Sequence, residues 1–382
     1  MSRPRSTHSS PTWRRACASC PPRSVRSLEC WGLRTAPGCC ATTGARRGGD
    51  PVKVGLVGAG YIAQSHARAY AADPRAELAY VVEPVKDKAE AMASAYGARV
   101  LPDPGTLLAS DVEVVSICTP SPTHADLAVA ALSAGKHVLC EKPVARTLAD
   151  GERIVEAGRR GRGLLMIGHV SRFEPDHQAA AAAVRAGRIG EVRMMSQSLV
   201  GERPTWSEDA WLDSPDQSGG PIVDLAIHSF DYLAWVADAR PVRVHAVGSA
   251  REDGVIDYAV VTVRYDSGAL AVVETSWAHP AGHGLELSTE LTGSDGRITW
   301  DYTGTAVGSL QLAGAAPRAI SQLGNRGFVA EIRAFLDAVE SGGPSPVPAE
   351  DGLAALETAL AAVESLHTRR AVTIRKRSEG ER

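Results

Sequence analysis

Gly58, Gly60 and Ala63 stand at the spacing G-x-G-x-x-A, after an apolar run from Val54 to Val57 and before a helical pattern reaching Ala72. The chemistry that needs this arrangement is the cradling of a pyrophosphate. A glycine at 58 makes the tight turn, and one at 60 lets backbone N–H groups approach phosphate oxygens. A small residue at 63 lets the helix lie close on its strand. The helix N-terminus, with Tyr61 and Ile62 in its first turn, supplies the positive pole. A second strand-like run, Glu77 to Val82, ends at Glu83. That is about twenty residues past the turn, where a carboxylate holds ribose hydroxyls. The bland alternative for Glu83 is a solvated loop acid. Together these features predict a nicotinamide dinucleotide site.

Three further stretches carry groups able to move protons. Cys118 to His124, with Thr119 and Pro120, follows the run Val112–Ile117, and Cys140 to Pro143, with Glu141 and Lys142, follows Val138–Cys140. In doubly wound sheets ligands bind beyond the carboxyl ends of the strands, so Lys142 projects where the reactive ring would lie. It reads either as a solvated charge or as an amine whose pKa burial lowers toward acid–base use. The third stretch is Ser218 to Asp231. Its predicted helix, Pro221–Val236, is apolar nearly all round, yet Asp224 and His228 sit four apart on one face with Asp231 three further. Buried polar groups need partners. Either Asp224 and His228 satisfy each other, or they face a polar ligand cavity; Gly219 and Gly220, leaving room for close approach, favour the cavity.

The elements that must position these groups alternate from Val52 onward. Helical patterns cover Ile62–Ala72, Lys86–Tyr96, His124–Ala134 and Leu148–Arg159, and apolar strand runs include Leu78–Val82 and Leu164–Ile167. This rhythm predicts a doubly wound parallel α/β sheet. Around Ser171 the character changes. A helix at Gln178–Ala186 and the Pro221 helix precede two hairpin signals, Tyr258–Tyr265 with Ala269–Trp277 and Leu285–Thr292 with Arg297–Trp300. They predict an α+β domain with a mostly antiparallel open sheet. Two helical patterns, Phe328–Val339 and Leu353–Leu366, close the chain. The expected organisation is an extension over 1–51, a dinucleotide domain over 52–170, a substrate and oligomerisation domain over 171–375, and a charged tail over 376–382.

Composition sets the class. The 382 residues are 44% hydrophobic and 5% aromatic with net charge −3, which argues for two ordinary globular cores and against nucleic acid or an anionic membrane as partner. No apolar run reaches membrane-spanning length. Residues 1–50 stand apart: nine arginines against Glu29 and Asp50 give +7, leaving −10 for the rest, and five of seven cysteines lie here. Cys17 and Cys20 suggest zinc, but no second C-x-x-C follows. A secretory signal lacks its apolar core, and a transit peptide fits only in being Arg-rich and acid-poor. The expectation is an upstream extension from a mis-assigned start, so that a chain beginning at Val52 keeps the melting temperature and dinucleotide affinity. No metal is expected. Cys118 and Cys140 read as buried hydrophobes, and a reducing cytoplasm follows.

Taken together, Gly58 to Ala63, Glu83, Thr119-Pro120 with His124, Glu141-Lys142-Pro143, and Gly219-Gly220 leading to Asp224 and His228 resemble the glucose–fructose oxidoreductase / inositol dehydrogenase family. A Gly-Ser-x-Gly hairpin at 293–296 and the C-terminal helix pair also match, so the resemblance covers about Val52 to Ile374. It implies an NAD(P)-binding Rossmann domain, a second domain that often mediates oligomers, and here a homodimer or homotetramer. It also implies Lys142, Asp224 and His228 as the catalytic trio, with Thr119, Pro120, His124, Glu141 and Lys142 beside the nicotinamide half and Arg172 beside the substrate. Where many members carry an Asn shortly before Arg-Phe, this chain has Ser171 before Arg172.

The expected activity is a dehydrogenase acting on a secondary alcohol of a sugar, sugar derivative or cyclitol. Two other readings are a glycosidase with transient redox chemistry on bound NAD and a non-catalytic dinucleotide sensor. Glu83 predicts NAD over NADP, because a 2′-phosphate would meet like charge.

Overall fold

The computed structural model describes residues 49–204, 211–212, 214–252, 254–302 and 326–374, with two short strand pieces at 309–310 and 318–319. The expected extension, except for its last residues, and the charged tail lie outside these.

The first half builds one parallel sheet. Strands β1 (Val52–Val57), β2 (Ala76–Val82), β3 (Arg99–Leu101), β4 (Val114–Ile117), β5 (His137–Glu141) and β6 (Leu165–Gly168) lie in the order β3-β2-β1-β4-β5-β6. Every neighbouring pair is parallel. The connections are α1 (Tyr61–Ala71), α2 (Lys86–Tyr96), α3 (Pro104–Leu108), α4 (His124–Ser133) and α5 (Leu148–Arg160). Near-continuous apolar strands suit a sheet covered on both faces; Val54, Leu56, Val114, Ile117, Val138 and Ile167 are fully buried. Asp103 and Thr147 cap α3 and α5 by accepting from the N–H groups of Thr106 and Asp150. The expected doubly wound sheet is present, and β3 and α3 are additions to it. Strand order reverses between β1 and β4, which places the ligand crevice there.

After β6, a 3-10 turn (Val170–Phe173) leads to α6 (Pro175–Arg185) and β7 (Val192–Glu202). Three short helices follow: α7 (Pro215–Ser218), α8 (Gly220–Asp224) and α9 (Ile227–Ala237). Strands β8 (Pro241–Ala250), β9 (Ile256–Tyr265), β10 (Leu270–His279), β11 (Glu286–Gly293) and β12 (Arg297–Tyr302) come next, then the pair β13 (Ser309–Leu310) and β14 (Arg318–Ala319). The chain closes with α10 (Arg326–Ser341), α11 (Ala349–Thr368) and β15 (Val372–Thr373). The second sheet runs β12-β11-β7-β10-β9-β8-β15. It is antiparallel except where β7 meets β10. Both expected hairpins form, β9 with β10 and β11 with β12. Helices α9 and α11 cover one face. The other exposes Met194, Val247, Leu270 and Val272.

The predicted single helix over Pro221–Val236 is corrected to α8 and α9. The carbonyl of Pro221 accepts from both Leu225 N and Ala226 N, at 3.1 and 2.8 Å. This widened turn inserts one residue into the helical count and rotates the residues after it. Gly219, at φ +79, ends α7 and turns the chain into α8; an added Cβ would lie 2.5 Å from Val223. Gly219 therefore serves an internal turn.

Among the described residues no helix is long and apolar enough to cross a membrane.

Candidate active site

The crevice is framed at the carboxyl edge of the parallel sheet. Gly58 follows β1 at φ +97, and a Cβ there would lie 2.6 Å from the carbonyl oxygen of Cys118. Only glycine fits, because both the torsion and the neighbouring backbone exclude a side chain. Gly58→Ala is expected to destabilise the chain by about 1–3 kcal/mol and to weaken dinucleotide binding. Thermal melting and cofactor titration check this; an unchanged affinity would mean that the turn does not carry the pyrophosphate.

Gly60 leaves open space where its side chain would be. It begins α1 without any side-chain cap, so the first N–H groups of the helix remain available to an anion. Ala63 is fully buried, Tyr61 is 60% exposed at the lip, and Ile62 is half-buried. Glu83 reaches back to the turn: its two carboxylate oxygens accept from Ala59 N and Val85 N, each at 2.9 Å. Each oxygen keeps a lone pair for a ribose hydroxyl. These residues fit a dinucleotide.

Thr119 and Pro120 stand at the end of β4, with the Thr119 hydroxyl 2.6 Å from that of Thr123. His124 lies deeper. It is fully buried, with ring nitrogens 2.9 Å from the carbonyls of Pro143 and Thr119. The expectation that its side chain lines the cofactor is corrected, since the ring is spent on stapling the loop after β4 to the loop after β5. Glu141 is corrected likewise. Its carboxylate turns into the core, 2.8 Å from His66 Nε2, and accepts from the backbone N–H of Lys142 at 3.1 Å.

Lys142 points the other way, across the crevice. Its Nζ donates to the carboxylate of Asp224 at 3.0 Å and to the Asp224 carbonyl at 2.8 Å. His228 is half-buried, with Nδ1 3.4 Å from the hydroxyl of Ser171. Burial, then the positive charge of Lys142, push His228 well below the usual histidine range, so the ring is neutral at neutral pH. The structure thus brings Lys142 and Asp224 into contact, while Asp224 and His228 lie on separate helices. Of the two alternatives read from the sequence, the mutual Asp224–His228 bond is not formed: Asp224 pairs with Lys142, and His228 faces Ser171.

Arg172 and Asp231 also change roles. Arg172 is buried, 3% exposed. It donates through Nε and Nη2 to the two oxygens of Asp231, at 2.7 and 2.6 Å, and through Nη1 to Asp351 at 2.9 Å. With three of its five N–H groups spent on these carboxylates and the residue buried, the expected substrate contact is corrected to a tie between the 3-10 turn, α9 and α11. Missed from the sequence were His66 and Glu331, both fully buried. A lone polar residue in an Ala-rich or apolar helical stripe was the available signal.

Comparison with known proteins settles the kinship. A family model described as an oxidoreductase family with an NAD-binding Rossmann fold, GFO/IDH/MocA, matches residues 52–169, and its C-terminal domain model matches 177–299. The chain belongs to the GFO/IDH/MocA family. It is thereby an oxidoreductase with an NAD-binding Rossmann domain. Inositol 2-dehydrogenase of Rhizobium meliloti is 32% identical over 339 residues, covering 85% of this chain and 99% of that one. Myo-inositol 2-dehydrogenase of Thermotoga maritima is 30% identical, covering 85% and 98%. Among solved GFO/IDH/MocA-like structures, GenD2 from gentamicin A biosynthesis in complex with NAD superposes with TM-score 0.77 at 27% identity, covering 86% and 97%.

Proposed function

We propose that this oxidoreductase moves a hydride between a secondary alcohol of a cyclitol, sugar or sugar derivative and NAD. The relatives named for inositol oxidation support the substrate class, and the NAD-bound neighbour supports the cofactor. The single observation that carries the mechanism is the division of charge at the crevice. Lys142 is ion-paired to Asp224, whereas His228 stays neutral.

That division assigns the roles. An ammonium held by a carboxylate is a hydrogen-bond donor, and Lys142 polarises the reacting oxygen. A neutral imidazole has a free lone pair. With His228 Nδ1–H donating to Ser171, Nε2 takes the hydroxyl proton as the C–H electron pair leaves and the carbonyl forms. Asp224 orients Lys142 rather than His228. When bound, the nicotinamide supplies the hydride acceptor at the carboxyl ends of β4 and β5. Thr119 and Pro120 would flank it there. The exposed apolar face of the second sheet supports association into a homo-oligomer.

Assaying inositols, aldoses and nucleotide sugars by NADH absorbance tests the substrate class. Turnover with a polyol is the expected result, and silence across the panel, with NAD bound, would sink it. Glu83→Ala is expected to cost about tenfold in the specificity constant for NAD, the loss of one charge-assisted hydrogen bond. NADP, freed from like charge, should lose nothing. A wild-type preference for NADP would show the reading of Glu83 to be wrong.

A further inference from the structure

Behind the reactive edge lies a buried group of ionisable side chains with no part in the hydride transfer. His66 on α1, Glu141 at the end of β5 and Glu331 on α10 bring their functional atoms within 4.8 Å of one another. All three are at most 6% exposed. His66 has no proton to spare for Glu331: Nε2 faces Glu141 and Nδ1 faces the hydroxyl of Ser116, each at 2.8 Å. Glu141 accepts from His66 and from Lys142 N. Both oxygens of Glu331 lack a hydrogen-bond partner among the described residues. Opposite Glu141 in the sheet stands Gly168, where a Cβ would fall 2.8 Å from the carboxylate. Room for this carboxylate is thus built into β6.

Two carboxylates this close and this deeply buried cannot both be ionised. Glu141 has donors and Glu331 has none, so the proton belongs to Glu331. We propose that Glu331 is carried as a neutral carboxylic acid sharing its proton with Glu141, and that this dyad, anchored by His66, positions the Lys142-bearing end of β5 against α10. The two carboxylates lie within 4.8 Å of each other, a gap that one bridging water closes.

The surrounding groups agree. Burial raises Glu331 well above the carboxylate range, and the charges of Glu141, Glu174 and Asp231 raise it further. Burial works against the charge of Glu141 too, but the hydrogen bond and charge of His66 outweigh it and hold Glu141 low. Asp231 is neutralised by Arg172. Glu174, before α6, is itself raised to about 7, by burial and then by Asp176. From α1 the hydroxyl of Tyr70, itself without a hydrogen-bond partner among the described residues, is kept neutral by burial, and Cys118, after β4, is kept a thiol by burial. Among the described residues no cation faces Glu331 other than His66, whose two nitrogens are taken.

The test compares Glu331→Gln, which imitates a protonated acid, with Glu331→Ala and the full chain. A carboxyl group whose folded pKa lies above its unfolded value of 4.5 contributes stability at pH below that value and loses it as pH rises toward the folded pKa. The glutamine does not titrate. The melting temperature of E331Q, relative to wild type, should therefore climb by several degrees between pH 5 and pH 8. A gap that stays flat, or a glutamine variant less stable throughout, would mean an ionised Glu331 and overturn the proposal. So would a stoichiometric divalent metal in the purified chain that E331Q loses, since a metal would hold both carboxylates ionised. The positioning half rests on the dehydrogenase reading and is measured separately. Glu331→Ala should lower kcat about tenfold with KM for NAD unchanged, and Glu331→Gln should restore it. Wild-type kcat in a folded E331A enzyme would end that half, while the melting experiment stands even if no substrate is found.

Discussion

Replacing His228 or Lys142 by alanine is expected to lower kcat by roughly 10²–10⁴, the range typical of residues that handle a proton in the transition state. NAD affinity should hold, because the turn at Gly58 to Ala63 and the carboxylate of Glu83 lie away from both side chains. Stability should hold for His228→Ala as well, since its side-chain hydrogen bond among the described residues is the long one to Ser171. For Lys142→Ala some stability is lost, because Asp224, 15% exposed at its side chain, is left without its cation. The pH profile separates the two roles. With the pKa of His228 pushed well below 6.5, kcat/KM for alcohol oxidation should stay level as pH falls through 6.5 and drop only further down. The same shift makes folding stability fall as pH drops below 6.5, where the unfolded chain takes up a proton that the folded one refuses. A stable, NAD-binding His228→Ala enzyme with wild-type turnover would sink the mechanism.

The largest expected loss of stability belongs to Arg172→Met. Asp231 is 2% exposed and receives both of its strong hydrogen bonds from this guanidinium. Removing the cation strands a buried carboxylate, a change that costs about 3–5 kcal/mol. Pairing the change with Asp231→Asn should recover much of it, as uncharged partners need no counterion. Chemical denaturation of the two variants gives both numbers. Were Arg172 a substrate contact instead, the single variant would raise KM and leave the denaturation midpoint where it was.

The cofactor half was legible because its signals are local. A turn that demands glycine, a helix start and an acid at the end of the next strand all fall within thirty-odd residues and act through the backbone. The hairpins of the second sheet were legible for the same reason. Strand β8 offered a readable alternation, Val244 and Ala246 inward against Arg243 and His245 outward, but without a tight turn beside it to announce a partner. The geometry of the trio was not legible. It depends on the doubled hydrogen bond at Pro221, which shifts His228 off the face of Asp224, and uninterrupted 3.6-residue periodicity cannot express that shift. Arg172, Glu141 and His124 were misplaced for a related reason. Each has a polar group suited to a ligand, and only the fold reveals that protein groups far along the chain had already claimed it.

The last helices have a consequence for how the chain is made. Helix α10 packs on α1, and α11 packs on α5 and β6. Ile167 N donates to the Val347 carbonyl, and Gly151 and Gly352 bring α11 close against the first half. The parallel sheet therefore leaves the ribosome about 200 residues before its cover does, a wait of ~10–40 s at ordinary rates of synthesis. Through that interval Ile167 and the α5 surface around Gly151 lack their α11 partners. The dinucleotide domain, though a unit in sequence, is one that newborn chains must shield until α10 and α11 emerge.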